Sequence, residues 1–202
     1  MSYTSRTKIE NLLMIDISAS FESQINLWIS AVERYINNYT GRKDGFDASD
    51  VATVKYFDGN GKREIEIDDC VEVTAVEIIE ADGGDVEWTL VAGMEADYIT
   101  EPYNNLPIYK LLLRPSSQIG AFYSGHKRIK VTAKWGQSSS VPADIEMVAT
   151  MIVGTIIQKG QQGGIIQSES LGDYSVTFAN LDESVNMLGI KKILDTYKIF
   201  RV

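Results

Sequence analysis

With 202 residues, 44% of them hydrophobic, the chain can bury one substantial core, or one core and a smaller appended module. Its net charge of −9 argues against tight non-specific nucleic-acid binding, which needs clustered Lys and Arg to displace counterions. The single cysteine, Cys70, excludes an internal disulfide and a cysteine-based zinc site, and the start MSYTSRTKIENLL lacks the layout of a secretion signal. These features predict a globular protein that is cytosolic at synthesis.

Residues 1 to 14 predict a short helix, with Thr7 and Glu10 at capping-box spacing and Ile9, Leu12 and Leu13 as its apolar side. A second helix, capped by Ser18 or Ser20, should run to about Asn38, because Ile25, Ile29, Val32, Ile36 and Tyr39 recur at helical spacing. Trp28 and Tyr35 lie beside that stripe, where they either widen the core face or meet a partner. Thr40 and Gly41 end the helix, and GRKDGFDASD reads as a connector.

From Val51 to Trp135 the apolar period changes to two. Val51 to Phe57 and Glu64 to Asp68 flank DGNG at 58 to 61, which predicts a hairpin, and Val71 to Glu80 with Val86 to Ala92 predict a second around ADGGD. Ile108 to Arg114 and Ile129 to Trp135 add two more strands, about six in all, while 102 to 107 and 116 to 127 read as loops. Helices before and after a run of strands imply an α+β fold, with a central, mostly antiparallel β region.

Pro142, Asp144 and Glu146 mark the start of a third helix. Ile145, Val148, Ala149, Ile152, Val153 and Ile156 form its buried stripe, and Met147, Met151 and Ile157 extend its apolar character to other faces. Its apolar run is about half the ~20 residues a bilayer requires, so no membrane span is expected. Trp28, Tyr35, Met147, Met151 and Ile157 are therefore the candidate subunit contacts. Gly160, Gly163 and Gly164 should end the helix and open a flexible arm, closed by a short strand from Asp173 to Phe178 with Tyr174 and Val176 on one side. From about Leu181 the helical pattern resumes through Val185, Leu188, Leu194 and Tyr197. Lys191, Lys192, Lys198 and Arg201 against Asp195 leave the last twelve residues with a side-chain charge of +3. That tail either caps the negative end of a helix or docks on an acidic partner.

The expected organisation is thus a helical part at 1–50, a β-rich module at 51–137, and a helix, arm and C-terminal helix at 138–202. No catalytic constellation is visible. His126, the one histidine, sits in a predicted loop without a GxSxG elbow. Asp68, Asp69 and Glu72 bunch at a strand end without metal-ligand spacing, and the glycines at 160, 163 and 164 follow a helix, whereas a phosphate loop precedes one. Neither cofactor nor metal is expected. Trp88, Tyr98, Tyr103, Tyr109 and Trp135 would suit a carbohydrate-binding sheet or an ordinary core equally well.

NYTGR (38–42), IKVTAKWGQ (129–137), VPADIEMVATMIV (141–153) and SESLGDYSVTF (168–178), in that order, resemble the head-to-tail connector proteins of tailed bacteriophages, also called adaptor or head-completion proteins. The β region, at roughly 85 residues, is larger than in the compact members. The resemblance implies a non-enzymatic virion protein at the head–tail interface, assembled in the host cytoplasm after DNA packaging. It further implies a ring, commonly dodecameric, beneath the portal protein, from a subunit that is either oligomeric or a monomer when free; the ring extends the DNA channel without specific DNA binding and presents a surface to a stopper or tail-completion protein. In that setting Lys191, Lys192, Lys198 and Arg201 become candidates for portal docking. A tail or baseplate component, another β-rich binding module, and an enzyme with an unrecognised site remain the alternatives.

Overall fold

The computed structural model describes residues 2–80, 84–92, 97–161 and 189–199, with the backbone alone for 159–161. The chain is α+β and divides into two compact units, Met1–Lys43 with Val141–Val202, and Asp44–Ser140.

In the helical unit, α1 (Arg6–Leu13) is capped by Ser5, whose hydroxyl accepts from the Lys8 amide at 3.4 Å. This corrects the expected box at Thr7, which lies inside the helix. Glu10 instead accepts from Arg6 Nε (2.8 Å) and from the Ile17 amide (3.1 Å). Ser18 caps a 3-10 turn, Ala19–Phe21, which leads directly into α2 (Glu22–Thr40). The predicted stripe of α2 is buried at Ile25, Ile29, Val32 and Ile36 but only half-buried at Tyr39, and Gly41, at φ 77°, ends the helix in the left-handed region.

Helix α3 (Ala143–Gln161) begins where the Pro142 carbonyl accepts from the Glu146 amide (2.9 Å). Ile145, Val148, Ala149, Ile152, Val153, Ile156 and Ile157 are all buried, and both α1 and α2 pack against this helix. It runs through Gly160 to Gln161, so that glycine does not end it as expected; the neighbouring backbone bonds hold a glycine in the helix at a cost of about 1 kcal/mol. Helix α4 (Ile190–Thr196) starts after Gly189, at φ 69°, and the expected helical residues Val185 and Leu188 lie outside the described residues.

The second unit holds a six-stranded antiparallel sheet: β1 (Thr53–Gly59), β2 (Glu64–Ile79), β3 (Val86–Leu90), β4 (Tyr98–Glu101), β5 (Ile108–Leu113) and β6 (Gly125–Trp135). The order is β1-β6-β2-β5-β4, with β3 also on β2. Three expectations need correction. First, β1 and β2 are not a hairpin, because β6 inserts between them, burying Ile129, Val131, Ala133 and Trp135. The turn that contains Gly61 pairs instead with the distant loop, through Gly61 N to Phe122 O (2.9 Å) and Phe122 N to Lys62 O (2.8 Å). Second, the two segments expected on either side of Asp69 and Cys70 are one 16-residue strand, which changes neighbours near Cys70 from β5 to β6 with shifts in register. Third, β4 was not foreseen, and His126 stands in β6, not in a loop. The β2–β3 hairpin forms as expected, Val76 opposite Leu90. The segment read as a connector also does more than link, because Phe46 is fully buried and its carbonyl accepts from the Ser138 amide (3.0 Å).

Candidate assembly surfaces

The C-terminal segment is tied to the other helices by side chains. Tyr39 OH donates to Asp195 (2.6 Å), Tyr197 OH donates to both oxygens of Asp144 (2.8 and 2.7 Å), and Arg42 Nε donates to the Tyr197 carbonyl (3.1 Å). The Ile199 amide adds a bond to the Thr40 carbonyl (3.0 Å). Lys198 pairs with Asp195 (3.3 Å) and lies 4.2 Å from the Tyr39 ring centroid. Its hydrogen bond to Asp195 raises its pKa. Lys198 therefore already has partners inside its own unit, whereas Lys191 and Lys192 are exposed. Arg201 lies outside the described residues.

Among the described residues burial raises the pKa of Tyr39, Tyr98, Cys70 and Tyr197, and the last two shift furthest. Burial, then the hydrogen bond to Asp144, pushes the Tyr197 phenol up from 10.0 to about 12. Burial, then the nearby Asp69 charge, moves the Cys70 thiol from 9.0 to about 12. Above their ordinary values the unfolded chain loses these protons while the fold retains them, so the unfolded state binds fewer protons and stability falls as pH rises from about 9 to 12. Urea midpoints at pH 8 and pH 11 should show that fall, and Tyr197→Phe should make it shallower. At pH 8 the same variant should lose about 1–2 kcal/mol, through the lost bond to a carboxylate.

The other predicted residues occupy varied positions. Trp28 and Tyr35 are half-buried beside the α2 stripe, and Tyr35 stacks on Tyr39 with ring centroids 6.1 Å apart. Met147 is exposed, Met151 half-buried, and Ile157 buried within the protomer. Gly163, Gly164, Tyr174 and Val176 lie outside the described residues.

In the β unit, His126 Nδ1 is 2.8 Å from Asp58 Oδ1, with both side chains mostly exposed. Among the described residues no group of three or more His, Cys, Asp or Glu could hold a metal ion. Nor is any described helix long and apolar enough to cross a membrane. Cross-strand pairs Lys134–Glu72 and Lys130–Glu77 (both 2.7 Å) line one sheet face. On the other, Lys55 bridges Asp44 (2.6 Å) and Asp68 (2.8 Å) with its ammonium 4.6 Å from the Trp135 ring centroid. Burial opposes the Lys55 charge, yet the hydrogen bonds to Asp44 and Asp68 outweigh it and raise the pKa. Sequence reasoning missed this cluster because its members are separated in the chain and meet only once β1 and β2 flank β6. Trp135, one of the candidate stacking aromatics, is buried, with its indole N–H donating to the Thr53 carbonyl (2.9 Å). Trp88 and Tyr109 are more exposed.

The chain, with helices in its N- and C-terminal parts and an antiparallel sheet unit between them in sequence, matches a solved structure described as the neck of an empty GTA particle computed with C6 symmetry. The TM-score is 0.58 over 97% of this chain and 89% of that one, at 10% sequence identity. The fold is shared with a chain of a particle neck. At that identity the likeness rests on the order and packing of elements, not on matched side chains. No family model matches the chain, nor does any curated protein.

Proposed function

We propose that this chain is a structural, non-enzymatic subunit of the neck of a phage-like virion: a head-to-tail connector that forms a ring under the portal protein and extends the DNA channel. The observation that carries the reading is the likeness of fold to a particle-neck chain over 97% of the sequence. Three further features support it. The C6 symmetry of that neck suits subunits joined head to tail, a heterologous contact that closes by rotation. A net charge of −9 suits a channel through which phosphates pass without sticking. The exposed Lys191 and Lys192 offer cations for an acidic surface on the portal, and the opposite side of the ring receives a stopper or tail-completion protein.

Native mass spectrometry with negative-stain imaging, on purified chain and on particles assembled with and without it, tests the proposal. The expected result is a closed ring, commonly of about twelve copies, seated between head and tail. Particles that join heads to tails normally in the absence of the chain would overturn it. Within the same assay, Lys191→Glu with Lys192→Glu should abolish attachment to DNA-filled heads without changing the circular dichroism, since both side chains are exposed. Unchanged attachment would remove these lysines from the portal contact.

A further inference from the structure

The helical unit exposes apolar surface on two flanks, a cluster of side chains on one and a single leucine on the other. The first lies along α1 and α3. On α3, positions 146, 150 and 154 face α1: Glu146 pairs with Lys8 (2.5 Å), the Thr150 and Thr4 hydroxyls share a hydrogen bond (2.7 Å), and Leu12 and Leu13 crowd against Gly154. That packing covers the glycine but leaves Leu12 48% exposed beside the line of Met147, itself 47% exposed, and half-buried Met151. Met14, which closes α1 in a left-handed conformation at φ 54°, is 92% exposed. Holding a flexible thioether in water at a strained backbone position brings this protomer no packing.

The second is Leu27 on α2. At about 100° per residue, Leu27 points away from the buried stripe of Ile25, Ile29, Val32 and Ile36, and it is 52% exposed. Exposed Arg34 lies two turns further along that outer face. The buried stripes of α2 and α3 both turn toward the interior the helices share, so their outer faces look out from different sides. The Met cluster ends beside Asp16, whose carboxylate is 98% exposed and lies 3.8 Å from Arg6 of its own chain, leaving it room for a second cation such as Arg34 of another copy.

We infer that these two surfaces are the two halves of one heterologous contact: Leu12, Met14, Met147 and Met151 of one copy receive Leu27 and the outer face of α2 of the next copy. A self-complementary dimer would need one patch; a closed ring needs two that differ and face different ways. Deformable methionines on one side and a single leucine with a flanking cation on the other meet that requirement. The inference rests on the proposed ring and names the surfaces that would build it.

Cross-linking between single-cysteine variants tests the contact. Leu27→Cys and Met147→Cys replace exposed side chains, and the buried, protonated Cys70 stays silent. Treated at high protein concentration with a short bismaleimide, a mixture of the two should yield the 27–147 product about tenfold above the 27–27 and 147–147 products, and above a control pairing of Leu27→Cys with the exposed Lys62→Cys, because contact raises effective concentration. Like-with-like products in excess, or a 27–147 yield no higher than the control, would overturn the inference. Rings seen by native mass spectrometry without the 27–147 product would sink these surfaces and leave the neck reading standing; the product without any place in particles would do the reverse.

Discussion

Gly59→Ala is expected to cost more than about 4 kcal/mol and to leave the β unit unfolded or rearranged, as read by near-UV circular dichroism and urea denaturation. Gly59 is the last residue of β1, opposite Gly125 after a shift in register. A Cβ there would stand 1.6 Å from the Tyr123 carbonyl oxygen and 2.8 Å from its carbon. Both are backbone atoms, so relief requires moving the chain. The neighbouring Phe122 is fully buried and bonded to the Lys62 carbonyl, so that segment cannot retreat without exposing core. Lys62→Ala, three residues on and exposed, should shift the midpoint by less than about 0.5 kcal/mol. A Gly59→Ala protein with wild-type stability would mean that the approach of β1 to the 116–124 loop is not as described.

The second large effect is expected in α3. Ile152→Asp should abolish cooperative unfolding of the helical unit, with a loss above about 4–5 kcal/mol, because an unpaired carboxylate would be forced into a site that is 1% exposed. Met147→Asp, on the same helix but at an exposed position, should cost less than about 1 kcal/mol, mostly through helix propensity. The contrast isolates burial from helix formation, since both changes introduce the same residue into one helix. Equal losses at the two positions would show that Met147 is as enclosed as Ile152 in the free protein.

The stripes that make these helices were legible from residue spacing alone. Ile25, Ile29, Val32 and Ile36 on α2, and Ile145, Val148, Ala149, Ile152, Val153 and Ile156 on α3, repeat at the helical period and are buried where that period places them. Helix contacts are set by residues three and four apart, so a local window holds the needed information. The same holds for the β2–β3 hairpin, where a tight turn brings sequence neighbours together. The Thr7 cap shows where a local window falls short: two hydroxyls compete for one helix start, and Ser5 takes it, while Glu10 turns to Arg6 and Ile17.

The pairing of β1 with β6 could not be read in that way. Alternation shows which faces of a strand are buried, but not which distant strand supplies its hydrogen bonds, and β1 and β6 are joined only after more than sixty intervening residues. The uninterrupted β2, the burial of Phe46 and the Lys55–Asp44–Asp68 cluster depend on that same non-local arrangement. The candidate contact surfaces divide along the same line. Sequence alone singled out Met147 and Met151 as apolar residues off the main stripe, and it marked Lys191 and Lys192 as part of a basic tail. Only tertiary packing decided that Ile157 is buried, that Lys198 is held by Asp195 and Tyr39, and that Leu12, Met14 and Leu27 remain exposed. Periodicity determines the face on which a side chain lies, whereas exposure depends on what other elements cover that face, and that is settled by contacts far apart in the chain.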